Sequence, residues 1–280
     1  MSAYNAKHLI RNLLIYLVLI LLVLTTLLPL GWIISTSFKP SIEIFANPPY
    51  WIPKQPTVGN YVNVFTGSSI PVAFLNSLLI ALMCALMALV LGCMAGYAFA
   101  RFRFRGKGFL SLFMLISQML PLTVLMIPLY YMENRAGLID TKFGIALAHL
   151  VIALPLVTWM SKGYFKGIPR EIEEGAMVDG CSTFKSMVYI VVPLLRPALA
   201  ATGIYAFISS WNEYALANVL TRSEASRTVP LALNDFSTFF KVNWGDTMAA
   251  AVIITIPIII VFLSVQKQFI EGLASGAVKG

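Results

Sequence analysis

Residues 13–34 read LLIYLVLILLVLTTLLPLGWII, a stretch without one charged side chain. A bilayer core is crossed by about 20 mostly apolar helical residues, and this stretch is apolar around its whole circumference rather than along one stripe. It follows Lys7 and Arg11, as a secretory leader would, but it is far longer than the roughly 7–15 apolar residues of a leader's core. It is therefore expected to be an uncleaved first span. Five further runs follow at 78–100, 109–132, 144–161, 197–220 and 247–264. The expected fold is an all-α integral membrane protein of six transmembrane helices, with residues 1–280 as a single transmembrane domain.

The totals agree. The 280 residues are 59% hydrophobic and 11% charged, with a mean hydropathy of +0.82, whereas soluble domains carry about 25% charged residues. A net charge of +8 on a soluble chain would raise nucleic-acid binding. Here the basic residues sit between apolar runs, and no zinc spacing or RNA-binding aromatic motif accompanies them, so nucleic acid is not expected as a partner. Cys84, Cys93 and Cys181 form neither a CxxC pair nor a disulfide framework and read as small packing residues.

Lysine and arginine set the orientation. With the N-terminus inside, the inner segments hold thirteen basic residues and the outer segments seven, so both termini are expected in the cytoplasm. The outer connection 36–72 contains Pro40, Pro48, Pro49, Pro53 and Pro56, with Trp32 and Trp51 as interface anchors; it reads as an ordered, non-helical cap.

The inner connection 162–196 is the most informative. Within it, 169–180 reads PREIEEGAMVDG. Pro169 suits a first helical position, Glu171, Glu173 and Glu174 favour the first turn, and Gly180 suits a left-handed end. Ser182 or Thr183 would cap a second helix that Pro193 stops after Val192. Ile172, Ala176 and Met177 fall near one face of a segment too short and too charged to span. Local chemistry leaves two uses open for that face, a partner's groove or the membrane surface.

Glu174-Gly175-Ala176, three residues, Gly180, nine residues and Ile190-Val191-Val192-Pro193 resemble the EAA loop of bacterial ABC importer permeases (Glu-Ala-Ala, three residues, Gly, nine residues, Ile-x-Leu-Pro), here about 169–193. Gly175 stands for the first alanine and Val192 for leucine. Gly175 costs the helix about 0.5–1 kcal/mol relative to alanine. Trp211-Asn212-Glu213-Tyr214, and the tail from Glu271-Gly272-Leu273 through Gly276–Gly280, are similar to the second, maltose-type permease of the carbohydrate branch. The resemblance covers most of the chain.

The resemblance implies a subunit of the bacterial inner membrane that forms half of a sugar or oligosaccharide translocation path. It implies a heterodimer with a second permease, two copies of a cytoplasmic ABC ATPase, and an extracytoplasmic sugar-binding protein. The short helix before Gly180 would be a cytoplasmic coupling helix docked on an ATPase, through Glu174, Gly175, Ala176, Asp179, Gly180 and Pro193, with Glu174 in a salt-bridge or capping role. The tail at 276–280 would also reach the ATPases. The chain is not expected to be an enzyme. It carries no GxxxxGK[ST], so ATP and Mg would be bound by the partners and no cofactor by this chain.

Polar residues inside spans are functional candidates. Gln118, Tyr205, Asn212, Glu213, Tyr214 and Asn218 could offer hydroxyl partners and aromatic faces to a sugar, although such groups also bond simply across helices. Asn212 and Glu213 lie seven and eight residues after Tyr205, so on helical spacing the three are expected to share a face. His149 reads as a packing histidine. The rival function is a stand-alone secondary carrier or channel for a small polar solute, which would want ionisable pairs at midplane; Glu213 shows no obvious basic partner in the sequence. No GxSxG, HExxH or metal cluster supports a membrane enzyme.

Overall fold

The computed structural model describes residues 2–236 and 243–277. The elements in order are α1 (Ser2–Ser37), α2 (Ser41–Ile44), α3 (Gly59–Gly67), α4 (Ile70–Arg101), α5 (Lys107–Ser117), α6 (Leu122–Arg135), α7 (Lys142–Gly167), α8 (Arg170–Val178), α9 (Thr183–Ser186), a π-helical turn (Met187–Val191), α10 (Val192–Leu194), α11 (Arg196–Trp211), α12 (Ala215–Leu220), α13 (Val229–Ala232), a 3-10 turn (Leu233–Phe236) and α14 (Trp244–Ala277). No strand occurs among the described residues. Four helices are long and apolar enough to cross a bilayer: Arg11–Ser37, Ile70–Arg101, Lys142–Gly167 and Trp244–Ser264. Two bent pairs, Lys107–Ser117 with Leu122–Arg135 at 105° and Thr183–Leu194 with Arg196–Trp211 at 85°, bring the number to six if each pair is one span.

The third run is thus not the single helix expected, and neither is the fifth, through a separate break that follows the second pair. In the third, Pro121 has no N–H to continue the ladder and biases Leu120 away from helical geometry; it takes an extended ψ of 130° and α6 starts after it. In the fifth, the helix ends at Trp211 and resumes at Ala215. The second span starts at Ile70, eight positions before its apolar run, because Asn76 and Ser77 are buried and bonded. Asn76 Nδ2 donates to the carbonyls of Glu224 (3.3 Å) and Arg227 (2.9 Å), and Val229 N donates to Ser77 Oγ (2.8 Å).

The chain forms two compact units, residues 1–68 with 233–254, and residues 69–232 with 255–280. In the first, α1 leaves every residue from Arg11 to Leu30 exposed. The connection after it is partly helical, unlike the cap expected, since α2 and α3 bury Glu43, Asn60 and Val64. Lys39, 1% exposed, lies 4.0 Å from the Trp32 ring centroid and donates to the Tyr50 carbonyl at 2.7 Å. Burial lowers its pKa from the usual value, opposed by the Glu43 carboxylate.

The second unit is organised by α4 against α7. A Cβ on Gly92 would stand 2.5 Å from Val157 Cγ1, and one on Gly96 would stand 2.6 Å from Ser161 Cβ and 2.8 Å from the Lys162 backbone nitrogen. This GxxxG therefore packs two helices of one chain, with small residues allowing close backbone approach. One end of the unit is filled by Ile80, Ile145, Ala148, Leu216 and Leu220, the other by Tyr97, Phe165, Met187, Val191, Leu195 and Leu199. The lipid-type apolar surface points outward, along Leu79, Leu82, Leu86 and Val90 of α4 and Phe109, Leu112 and Phe113 of α5.

Candidate functional site: a clamped helical module and a broken span

The module begins where α7 ends. Pro169 is the N-cap of α8, one position before the first helical position expected. At the far end, Cys181 N bonds the Ala176 carbonyl (3.0 Å) and Gly180 N the Met177 carbonyl (3.1 Å), with Gly180 at φ +88°. These are the paired bonds of a Schellman end, which needs a left-handed residue at that position. Ser182 then caps α9, its Oγ accepting from Lys185 N at 3.3 Å.

Pro193 does not stop the second helix. The chain passes through it by way of the π-helical turn at Met187–Val191 and breaks after Leu195. The wider turn moves the carbonyl that the proline ring would strike, four residues earlier, away from it.

Glu173, not Glu174, is the buried carboxylate of this helix. Its Oε1 accepts from Arg101 Nε (2.6 Å) and Nη2 (2.5 Å), and its Oε2 accepts from the Tyr97 hydroxyl (2.7 Å). Arg101 Nη2 also donates to the Ile168 carbonyl at 2.9 Å. The end of α4 therefore grips both the entry and the body of α8. Glu174, Gly175, Asp179 and Gly180 are exposed, while Ala176 turns into the chain at 7% exposure and is withdrawn from the outward face. That face instead carries Ile172, Met177 and Val178, the last 87% exposed, with Phe184 nearby in sequence. A Cβ on Gly175 would meet nothing within 4 Å, so the departure from alanine there leaves packing untouched. Of the tail at 276–280, residues 278–280 lie outside the described residues.

The second constellation lies at the break in the fifth span. The buried Glu213 carboxylate accepts from Leu216 N (2.9 Å) and Ala217 N (3.0 Å), capping α12, a placement the helix dipole favours. His149 Nε2 lies 3.0 Å from Glu213 Oε2, and its Nδ1 lies 2.7 Å from Ser210 Oγ. Glu213 therefore has the partner that the sequence did not reveal, and His149 is more than packing. The two ring nitrogens of His149 thus face a carboxylate on one side and a hydroxyl on the other.

The remaining candidates divide. Gln118, exposed, donates to the Ile152 carbonyl at 3.0 Å. Tyr205 is half-buried, whereas Asn212, Tyr214 and Asn218 are exposed. Tyr214 and Asn218 lie one turn apart, joined by a 2.8 Å backbone bond. Because the helix breaks at Asn212, the shared face of Tyr205, Asn212 and Glu213 is not formed. Sequence reading missed Tyr97, Arg101 and Glu173. The available signal was Glu173 and Ala176, three apart and hence on one side of α8, opposite Glu174. Among the described residues no group of three His, Cys, Asp or Glu could hold a metal ion.

Residues 88–274 match the family described as the binding-protein-dependent transport system inner membrane component. The chain belongs to that family. This inner membrane component is a multi-pass protein of the inner membrane, as its apolar helices require. It is 39% identical to the trehalose transport system permease protein SugB of Mycobacterium tuberculosis, over 91% of this chain and 93% of that one. It is 35% identical to the diacetylchitobiose uptake system permease protein DasC of Streptomyces coelicolor, over 90% and 91%. With the trehalose/maltose permease protein MalG of Thermococcus litoralis it shares 31% identity over 98% and 99%. These relatives are transporter permeases rather than enzymes. Its fold is that of a chain in a bacterial ABC transporter involved in the import of the polysaccharide alginate, with a TM-score of 0.79 and 23% identity over 92% and 96% of the two chains.

Proposed function

We propose that the inner membrane component is one of two unlike permease subunits of an ATP-driven importer of a disaccharide or short oligosaccharide. The observation that carries the coupling part is α8, a short helix clamped on one side by Arg101 and Tyr97 and bare on the other at Ile172, Met177 and Val178. A small apolar and acidic face held at a fixed angle fits a partner's groove. In this reading it docks on a cytoplasmic ATPase, one of two copies that bind ATP and Mg, through that face with Glu174, Asp179 and Gly180; Gly175 and Pro193 shape the module, and Ala176 seats it. Both termini then lie in the cytoplasm, in line with the basic residues of the inner segments, and residues 1–280 act as one transmembrane domain. A solute-binding protein delivers cargo from outside. The sugar class rests on relatives named for trehalose, maltose and diacetylchitobiose transport. Asn212, Tyr214 and Asn218 are the exposed polar side chains at the broken span that would meet it; Glu213 is buried at that break, and Tyr205 and Gln118 are further candidates along the path.

The test is purification of the tagged chain in mild detergent, followed by uptake in vesicles. Recovery of a P-loop ATPase and a second permease, with ATP-dependent uptake of a labelled disaccharide that Gly180 and Glu174 variants lose, supports the reading. Uptake by the chain alone in ATP-free vesicles would sink it.

A further inference from the structure

Near the end of α7 that leads into the coupling module runs a groove of about 490 Å³, lined by Trp159, Met160, Lys162, Gly163, Tyr164 and Lys166. Trp159, Lys162, Gly163 and Lys166 recur at helical spacing, so they share one face of α7. Gly163 opens it, since a Cβ there would meet nothing within 4 Å. Lys162 is held in place, its Nζ donating to Ser111 Oγ at 2.6 Å and standing 5.7 Å from the Phe99 ring centroid. An ammonium has three donors, so two stay available. Lys166 lies one turn further along the same face and lines the same groove. Among the described residues, no carboxylate stands within ion-pair distance of either lysine. Like charges gathered without a counter-charge favour an anion between them.

The lining also says which anion. Trp159, 51% exposed, lies about 10 Å along the helix from Lys166 at 1.5 Å per residue. The face therefore passes from an aromatic level to a basic level, the order found where a span leaves the hydrocarbon. Met160 and Tyr164 complete an apolar wall that a free hydrated anion could not use. We infer that this groove binds the phosphodiester headgroup of an anionic phospholipid, with its acyl chains lying along the apolar exterior below Trp159. Lys162 and Lys166 contact the phosphate, and Gly163 gives it room. The inference rests on the membrane placement of α7 and holds whether or not α8 docks on an ATPase.

The assembled transporter is reconstituted in vesicles with the same lipid in both leaflets, so sidedness does not enter. Trp159 emission is isolated by difference against Trp159→Phe, and quenching by chain-brominated phosphatidylglycerol is compared with that by chain-brominated phosphatidylcholine. The expected result is several-fold stronger quenching by the anionic lipid. Lys166→Gln should cut that preference about fivefold, the change that about 1 kcal/mol per basic residue gives, and Lys166→Arg should retain it. Gly163→Leu, which fills the groove without strain, should abolish it. Equal quenching by both lipids overturns the inference, as does no quenching by either, which would mean that a protein partner covers the face. Glycerol phosphate in solution shifting the Trp159 emission, with no preference between the lipids, would assign the site to a free anion and also overturn it.

Discussion

Replacing Glu173 with alanine leaves the Arg101 guanidinium buried without its counter-charge and strands the Tyr97 hydroxyl. Side-chain exposures of 9% for Arg101 and 5% for Glu173 place this among buried pairs, where loss of one partner costs about 3–5 kcal/mol. The cost falls on the attachment of α8 to the end of α4 and not on the packing of α4 against α7, so it appears as local opening. At 1.4 kcal/mol per tenfold, amide exchange in residues 170–181 should accelerate about a hundred- to a few-thousand-fold, limited by the module's own opening free energy. Glu174→Ala is the internal comparison. Glu174 is exposed and its side chain makes no hydrogen bond or ion pair among the described residues, so exchange should change by less than a factor of about 3, from surface effects within 0.5 kcal/mol. Transport should fall in both variants, because one loses the angle of the helix and the other its outward contact. A double change of Arg101 and Glu173 to methionine should restore protection, as apolar replacement of a buried pair is often neutral. Unchanged exchange in Glu173→Ala, or equal acceleration in Glu174→Ala, would refute the clamp.

Gly180→Ala should cost about 1–2 kcal/mol, the left-handed penalty for a Cβ, and Gly180→Asn should cost less; binding-protein-stimulated ATP hydrolysis should rank wild type, asparagine, alanine. Gly96→Ala should lower the detergent unfolding midpoint more than Gly92→Ala. Its Cβ meets the Lys162 backbone at 2.8 Å, whereas the nearest obstacle at Gly92 is a Val157 side chain that can rotate, and overpacking costs about 1–3 kcal/mol. Asp140 accepts from Arg222 N, Ser223 N and Ser226 Oγ, bonds that hold its pKa well below the usual 3.8. A depressed folded pKa gives stability that is present above the unfolded value and lost as pH falls through the folded one. Asp140→Asn, which tolerates the observed φ of 63°, should therefore lower the unfolding midpoint near neutral pH, with the gap to wild type closing only below pH of about 4.

The spans were legible because the signal was long and one-dimensional: Leu13–Ile34 has no alternative in water, and Pro169, Gly180 and Ser182 act within a turn of themselves. What escaped depended on partners far away in sequence. Glu173 and Glu174 look alike along the chain. They are separated only by which side of α8 faces Tyr97 and Arg101, more than 70 positions earlier. Glu213 seemed alone because His149 is 64 positions away. Asn76 and Ser77 delayed the apparent start of the second span because hydropathy counts them as polar, although the loop at 224–229 satisfies them. Pro193 was expected to end a helix, which holds for α-helical spacing but not after a π-helical turn.

The two broken spans change what polar residues inside a membrane helix mean. A break in hydrocarbon leaves backbone groups that must find partners inside the protein. At the fifth span Glu213 supplies them, capping Leu216 and Ala217, while His149 and Ser210 hold the carboxylate in line. Near the third span's break, Gln118 reaches the Ile152 carbonyl. These residues are occupied in making the breaks, and their replacement should disturb any solute equally. Asn212 and Asn218 are exposed beside the break, as is the ring of Tyr214. Discrimination between one sugar and another should therefore follow Asn212 and Asn218 first, and assembly and stability should follow Glu213 and His149. A Glu213→Gln variant that changed the ranking of sugars while leaving the unfolding midpoint untouched would reverse that division.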